Sequence, residues 1–141
     1  RRQRQMCIRD SYCGRDTGAG EIGSIPYLDR DYEYYCSSRF FVGRGTTGKE
    51  AYERAAAGDP EALALWREFG GHVGQLVMLV LYTYDPEAIV FGGSIAHAFG
   101  FFREAMYEQL KRFPYAKTVE GLHICCSNID HVGLLGASAC E

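Results

Sequence analysis

Leu63, Trp66, Phe69, Val73, Leu76, Val77 and Val80 recur every three or four residues, the spacing that gives a helix one apolar face. Asp59-Pro60 marks its start, with aspartate as N-cap and proline at the first helical position. The helix stops before Asp85-Pro86. Gly70, Gly71 and Gly74 interrupt it, each at a cost of up to about 1 kcal/mol relative to alanine. Either another backbone packs closely there or the helix kinks. Just upstream, Thr46 or Thr47 can cap a helix of about ten residues whose C′ residue is Gly58.

Downstream the period changes. Ala88 to Phe91 is a short apolar run that predicts a strand. Phe102, Met106 and Leu110 lie on one face of a helix expected from Ala98 to Phe113. Leu122 to Ser127 predicts the last strand and Gly133 to Ala139 the last helix. Helix pair, strand, helix, strand, helix is the order of an α/β layered domain with partly parallel strands. Before the helix pair, Gly14, Gly18, Gly20 and Gly23 predict a hairpin end leading into a binding loop. Tyr27 to Tyr35 reads as a charged, aromatic loop. Ser37 or Ser38 caps a turn holding Phe40 and Phe41, and Gly43 to Thr47 is a break.

At 141 residues the chain is one domain's worth, able to bury a core. A net charge of −3 argues against a nucleic-acid or membrane footprint in this segment, and no apolar run has the length to span a bilayer. The most hydrophobic stretch, Leu76 to Leu81, is a buried helix end. The six cysteines show no C-x-x-C spacing. Cys125 and Cys126 would point to opposite faces of a strand, and the set reads as reduced thiols of a cytoplasmic protein. Arg1 to Ser11 is basic, lacks periodicity, and resembles the translation of sequencing-adapter DNA. It is set aside as non-native, leaving 12–141 as the domain.

Candidate chemistry concentrates in two places. Asp85-Pro86-Glu87-Ala88-Ile89-Val90-Phe91-Gly92-Gly93-Ser94 carries a strand into a glycine pair that opens the next helix. Backbone at Gly92 and Gly93 can approach a ligand closely in the crevice at the carboxyl end of a strand, where nucleotides bind in α/β sheets. The alternative is that the glycines only permit tight strand–helix packing. Ser94 could reach a nucleotide phosphate or ribose, or act as a helix N-cap. The second place is Thr17-Gly18-Ala19-Gly20-Glu21-Ile22-Gly23-Ser24-Ile25-Pro26. There Glu21 can accept hydrogen bonds from sugar hydroxyls, or is simply a solvated loop acid. His72, His97, His123 and His131 form no ligand pattern and read as satisfied structural histidines.

Together these segments resemble the C-terminal half of the ROK family, bacterial sugar kinases and sugar-responsive repressors. Thr17 to Pro26 is similar to the family's sugar-contacting A-G-E-x-G-H, and Asp85 to Ser94 to its nucleotide-side D-P-x-x-I-V-x-G-G. Val132-Gly133-Leu134-Leu135-Gly136-Ala137-Ser138-Ala139 resembles its closing A-x-L-x-G-A-A helix. Glu33-Tyr34-Tyr35-Cys36-Ser37-Ser38 fits the E-x-Y-x-S-G pattern of a second sugar-binding glutamate, with Ser38 for glycine. Glu33 could equally belong to a charged surface turn with Asp29, Arg30 and Asp31.

The resemblance implies the C-terminal domain of a two-domain sugar kinase with a partial actin-like ATPase (ribonuclease H-like) fold. It further implies that ATP and Mg²⁺ bind near Gly92, Gly93 and Ser94, and that Glu21, Ser24 and Glu33 bind the sugar. The catalytic aspartate is expected in an upstream half, so this fragment alone would catalyse nothing. Relatives also form homodimers. A non-enzymatic alternative is a ROK repressor that senses sugar. Many members hold a structural zinc with the histidine of E-x-G-H and a C-x-C-G-x-x-G-C cluster. Ser24 replaces that histidine and Asp29-Arg30-Asp31-Tyr32 replaces the cysteines, so no zinc is expected. Packing of Tyr27, Tyr32, Tyr34 and Tyr35 would rigidify the loop in its place.

Overall fold

The computed structural model describes residues 14–16 and 18–127. The segment set aside at the N-terminus and the closing helix and motif therefore lie outside the described residues. In chain order the elements are a 3-10 turn Ile22–Ser24, β1 Pro26–Tyr27, β2 Arg30–Asp31, and helices α1 Tyr32–Tyr35, α2 Arg39–Val42, α3 Gly48–Ala56 and α4 Pro60–Tyr84. There follow β3 Ala88–Phe91, a 3-10 turn Ser94–Ala98, α5 Phe99–Leu110, α6 Ala116–Glu120 and β4 His123–Cys126.

Local chemistry sets the boundaries of the helix pair. Thr47 Oγ1 accepts from Glu50 N at 3.1 Å, and Thr47 N donates to Glu50 Oε2 at 3.1 Å, a reciprocal capping box. Gly58 follows α3 at φ +83°. Asp59 Oδ1 accepts from Glu61 N at 2.9 Å, which starts α4 with Pro60 in its first turn. Asp85 ends it in the left-handed region at φ 45°.

α4 and α5 form the centre of the molecule. α4 buries Ala62, Trp66, Phe69, Gly70, Val73, Gly74, Val77 and Leu81. This corrects the expected stripe: Leu63 is 39% exposed, and Leu76 and Val80 are only half-buried. The face is rotated toward the smaller Ala62 and toward Leu81. It turns to α5, which buries Phe102, Met106 and Leu110 as expected. Gly70 and Gly74 answer to close approach of α5, whereas a Cβ on Gly71 would meet only Gln109 Nε2 at 3.8 Å. A Cβ on Gly74 would stand 2.6 Å from Gln109 Cβ and 2.9 Å from the Met106 carbonyl oxygen, and one on Gly70 would overlap the Phe102 carbonyl oxygen. Trp66, Phe40, Phe41, Phe69 and Phe102 complete the core in an edge-to-face and stacked cluster. Burial of each contributes about 1.5–3 kcal/mol.

β3 and β4 pair in parallel, Ala88 opposite His123 through Phe91 opposite Cys126. Ile89, Phe91 and Ile124 pack on the core while Val90 and Cys125 face outward. The expected opposition of Cys125 and Cys126 is therefore present. α5 is shorter than the sequence suggested, beginning at Phe99 after a 3-10 turn and ending at Leu110. The main correction lies between Tyr27 and Tyr35. This segment is not a loop but part of an antiparallel hairpin, Pro26 opposite Asp31 and Tyr27 opposite Arg30, followed directly by α1. Asp31 Oδ1 caps α1 by accepting from Tyr34 N at 2.7 Å. Of the two serines suggested as caps, Ser37 Oγ accepts from Arg39 N at 3.2 Å, and Ser38 makes no side-chain cap bond.

Candidate functional site

The glycine pair stands at the carboxyl end of β3, beside the parallel partner strand β4, and Gly92, Gly93 and Ser94 are all exposed. Gly93 adopts φ 71°, ψ −168°, a region that only glycine occupies without strain. Nothing lies within 4 Å of where its Cβ would be. Tight packing is therefore not why Gly93 is a glycine; its conformation is. Gly93 itself holds the N-cap position of the 3-10 turn, with no side-chain cap bond. The alternative role of Ser94 as N-cap is thus not realised.

The acidic candidates gather at the other end of the chain. Glu21 immediately precedes the 3-10 turn Ile22–Ser24, is exposed, and makes no side-chain cap bond. Ser24 ends that turn, also exposed. Glu33 sits in the first turn of α1, exposed, with Arg39 Nη2 at 3.5 Å. The turn rests on α1 at Gly23, whose Cβ would stand 3.4 Å from Glu33 Cβ. Tyr32 N donates to Ile25 O at 3.2 Å and fixes the join. Glu21, Ser24 and Glu33 thus form one group on two adjoining short elements, and Gly92, Gly93 and Ser94 a second group at the sheet.

Beneath the acidic group lies an aromatic cluster. Tyr27 stacks on Tyr32 at 4.3 Å and meets Tyr35 edge-on at 5.4 Å, and Tyr34 meets Tyr35 at 5.1 Å. The packing of the four tyrosines expected from sequence is present. Its centre was not foreseen: His72 of α4 contacts Tyr27, Tyr35 and Phe40. Tyr27 Oη lies 3.1 Å from His72 Nδ1. Nε2 is buried without a hydrogen-bond partner, since Glu68 Oε1 stays 3.7 Å away. The expectation of a satisfied structural histidine holds at one nitrogen and fails at the other. His97 and His123 are exposed, and His131 lies outside the described residues.

Burial pushes the Tyr27 hydroxyl up to about 12, with Tyr32 adding to the effect, so it stays protonated at physiological pH. Burial lowers the His72 imidazole, only partly offset by Glu68. Tyr35 donates to Asp29, which raises the phenol and lowers the carboxyl. Burial also raises the Cys36 thiol to about 12, leaving it protonated. Among the described residues no three His, Cys, Asp or Glu side chains cluster as a metal site would require. A broad groove runs along α4 and α5 past Arg67, Gly71, Arg103 and Tyr107. It includes none of the six candidates and mixes charges of both signs, so the two exposed groups described above are the better candidate sites.

Among the described residues no helix is long and apolar enough to cross a membrane. No curated protein sequence matches the chain. Several solved structures share its fold, among them the following two. One is a proposed sugar kinase from Cytophaga hutchinsonii ATCC 33406, 21% identical, with a TM-score of 0.78 over 89% of this chain and 48% of that one. The other is a ROK family transcriptional regulator, a homolog of the E. coli MLC protein. It is 16% identical, with a TM-score of 0.72 over 84% of this chain and 37% of that one. The chain thus spans about half the length of these relatives or less, and its α/β architecture is that of the actin-like ATPase fold they share. The family model of the ROK family matches residues 6–140, and the chain belongs to the ROK family.

Proposed function

We propose that this chain supplies the sugar-binding loops and one wall of the nucleotide crevice of an ATP-dependent hexose kinase. The observation that carries this reading is Gly93: an exposed backbone at the end of a parallel strand, in a glycine-only conformation with open space around it. Such a backbone admits a phosphate or ribose closely, with Gly92 and the Ser94 hydroxyl beside it. Glu21 and Glu33 are exposed carboxylates on adjoining elements. They would accept hydrogen bonds from sugar hydroxyls, with Ser24 adding a hydroxyl where relatives carry histidine. Closure of an upstream domain would dry the site and bring the aspartate that takes the hydroxyl proton. Mg²⁺, arriving with ATP, would neutralise phosphate charge. The reaction belongs in the cytoplasm, where ATP and reduced thiols coexist.

The second reading is a sugar-sensing repressor, favoured by the fold shared with a ROK transcriptional regulator. The full-length protein separates the two when incubated with ATP, Mg²⁺ and glucose, mannose, galactose or fructose in turn. Sugar-dependent ADP release supports the kinase. Sugar binding by calorimetry without ADP release supports the repressor.

A further inference from the structure

We propose that His72 is a positioning residue that clamps the sugar-binding segment to α4 through Tyr27. The inference rests on the sugar reading of Glu33 given above. Glu33 is borne on a hairpin with two residues per strand and a four-residue helix. Elements this short do not hold their place by their own hydrogen bonds. Something must fix them to the body of the protein, and the long helix is itself locked to α5 at Gly70 and Gly74.

The imidazole reaches from that helix into the middle of the segment. Tyr27 Oη of β1 is hydrogen-bonded to Nδ1 at 3.1 Å, and Tyr35 of α1 covers the ring at 4.7 Å. Tyr27 in turn stacks on Tyr32, next to Glu33, and Tyr35 is held by Asp29 at the hairpin turn. With Tyr27 as the donor to Nδ1, the histidine proton is on Nε2, the nitrogen that faces Glu68. On that side the Glu68 carboxylate is held by Arg44, whose guanidinium lies 3.7 Å over Phe40. Nε2 is left buried without a hydrogen bond, 3.7 Å from Glu68 Oε1. A leucine would fill this space without an orphaned donor, so apolar packing alone does not account for the imidazole. The bond made by Nδ1 does.

Hydrogen exchange in the full-length protein tests this, read separately over residues 26–36 and 60–84. Tyr27→Phe, which keeps the ring, and His72→Leu should each speed exchange in 26–36 by about tenfold, as expected for one lost bond in a locally opening unit. Exchange in 60–84 should stay unchanged, and the dissociation constant of the bound hexose should rise. Combining the two should add nothing, because both remove the same bond. His72→Asn, whose side-chain oxygen can accept near the Nδ1 position, should recover most of the protection. Unchanged exchange in 26–36, equal loosening of 60–84, or additive effects would each overturn the clamp. If His72→Leu does not fold, Tyr27→Phe alone decides. A wild-type protein that binds no hexose would end the sugar reading, while the exchange pattern would still judge the clamp.

Discussion

Gly23 and Glu33 meet face to face: a Cβ on Gly23 would lie 3.4 Å from the Cβ of Glu33. That spacing is ordinary contact, and the neighbouring Tyr32 N to Ile25 O bond at 3.2 Å holds it. Two acidic residues twelve positions apart in the chain, Glu21 and Glu33, are thereby borne on adjoining elements. Both remain exposed, which suits them to receive polyhydroxyl ligand.

Glu21→Ala and Glu33→Ala should each raise the sugar KM by about tenfold or more, the loss of about 1.4 kcal/mol or more of binding, and leave the ATP KM unchanged. Stability should barely move, because the exposed Glu33–Arg39 pair is worth about 1 kcal/mol at most. Steady-state kinetics with each substrate varied in turn, beside a denaturant melt, makes the distinction. Unchanged sugar kinetics would remove these residues from the site.

Gly93→Ala should weaken nucleotide binding and destabilise the protein by about 1–3 kcal/mol, because a Cβ is strained at φ 71°, ψ −168°. Gly100→Ala is the contrast: it is helical, with nothing within 4 Å of the added carbon. It should stabilise by about 0.5–1 kcal/mol. Nucleotide titration and urea unfolding of both variants check the pair.

Gly74→Ala should cost about 1–3 kcal/mol by forcing α4 from α5, since Met106 backbone stands 2.9 Å from the new carbon. The fluorescence of Trp66, the chain's single tryptophan and 1% exposed, reports the loss as a lower urea midpoint.

Two groups in the aromatic cluster set opposite pH limits. Tyr27, raised from 10.0 to about 12, contributes stability that is whole below pH 10 and is lost as pH climbs through about 12. His72, lowered from 6.5 by burial, contributes stability present above pH 6.5 and lost as pH falls through its lower folded value. Urea midpoints should therefore show a plateau from above the His72 transition up to about pH 9, where the buried Cys36 thiol, raised from 9.0 to about 12, begins its own alkaline loss ahead of Tyr27. Tyr27→Phe should make the alkaline fall shallower without abolishing it, because Tyr32 and Tyr35 are also raised.

What the sequence disclosed was local. Thr47 with Glu50 and Asp59 with Pro60 carry their helix boundaries in adjacent residues, and β3 with its glycine pair is equally self-contained. The tyrosine hairpin was misread because its strands are only two residues long. It is held by His72, 45 positions from Tyr27, and no periodicity records that contact. The α4 stripe was read as Leu63 where Ala62 is buried. Side-chain size suggested the larger residue, but it is Ala62 that faces the core while Leu63 is 39% exposed. The glycines of α4 held the close approach of α5 in ambiguous form, and Met106 and Gln109 resolved it.

The most direct test of the central claim is the initial rate of ADP formation by the full-length protein with ATP, Mg²⁺ and a panel of hexoses, run beside Glu21→Ala. The account predicts ADP release that depends on one or more sugars and a sugar KM raised about tenfold or more by the substitution. ADP release that no sugar stimulates, in a protein that binds none of them, would contradict it.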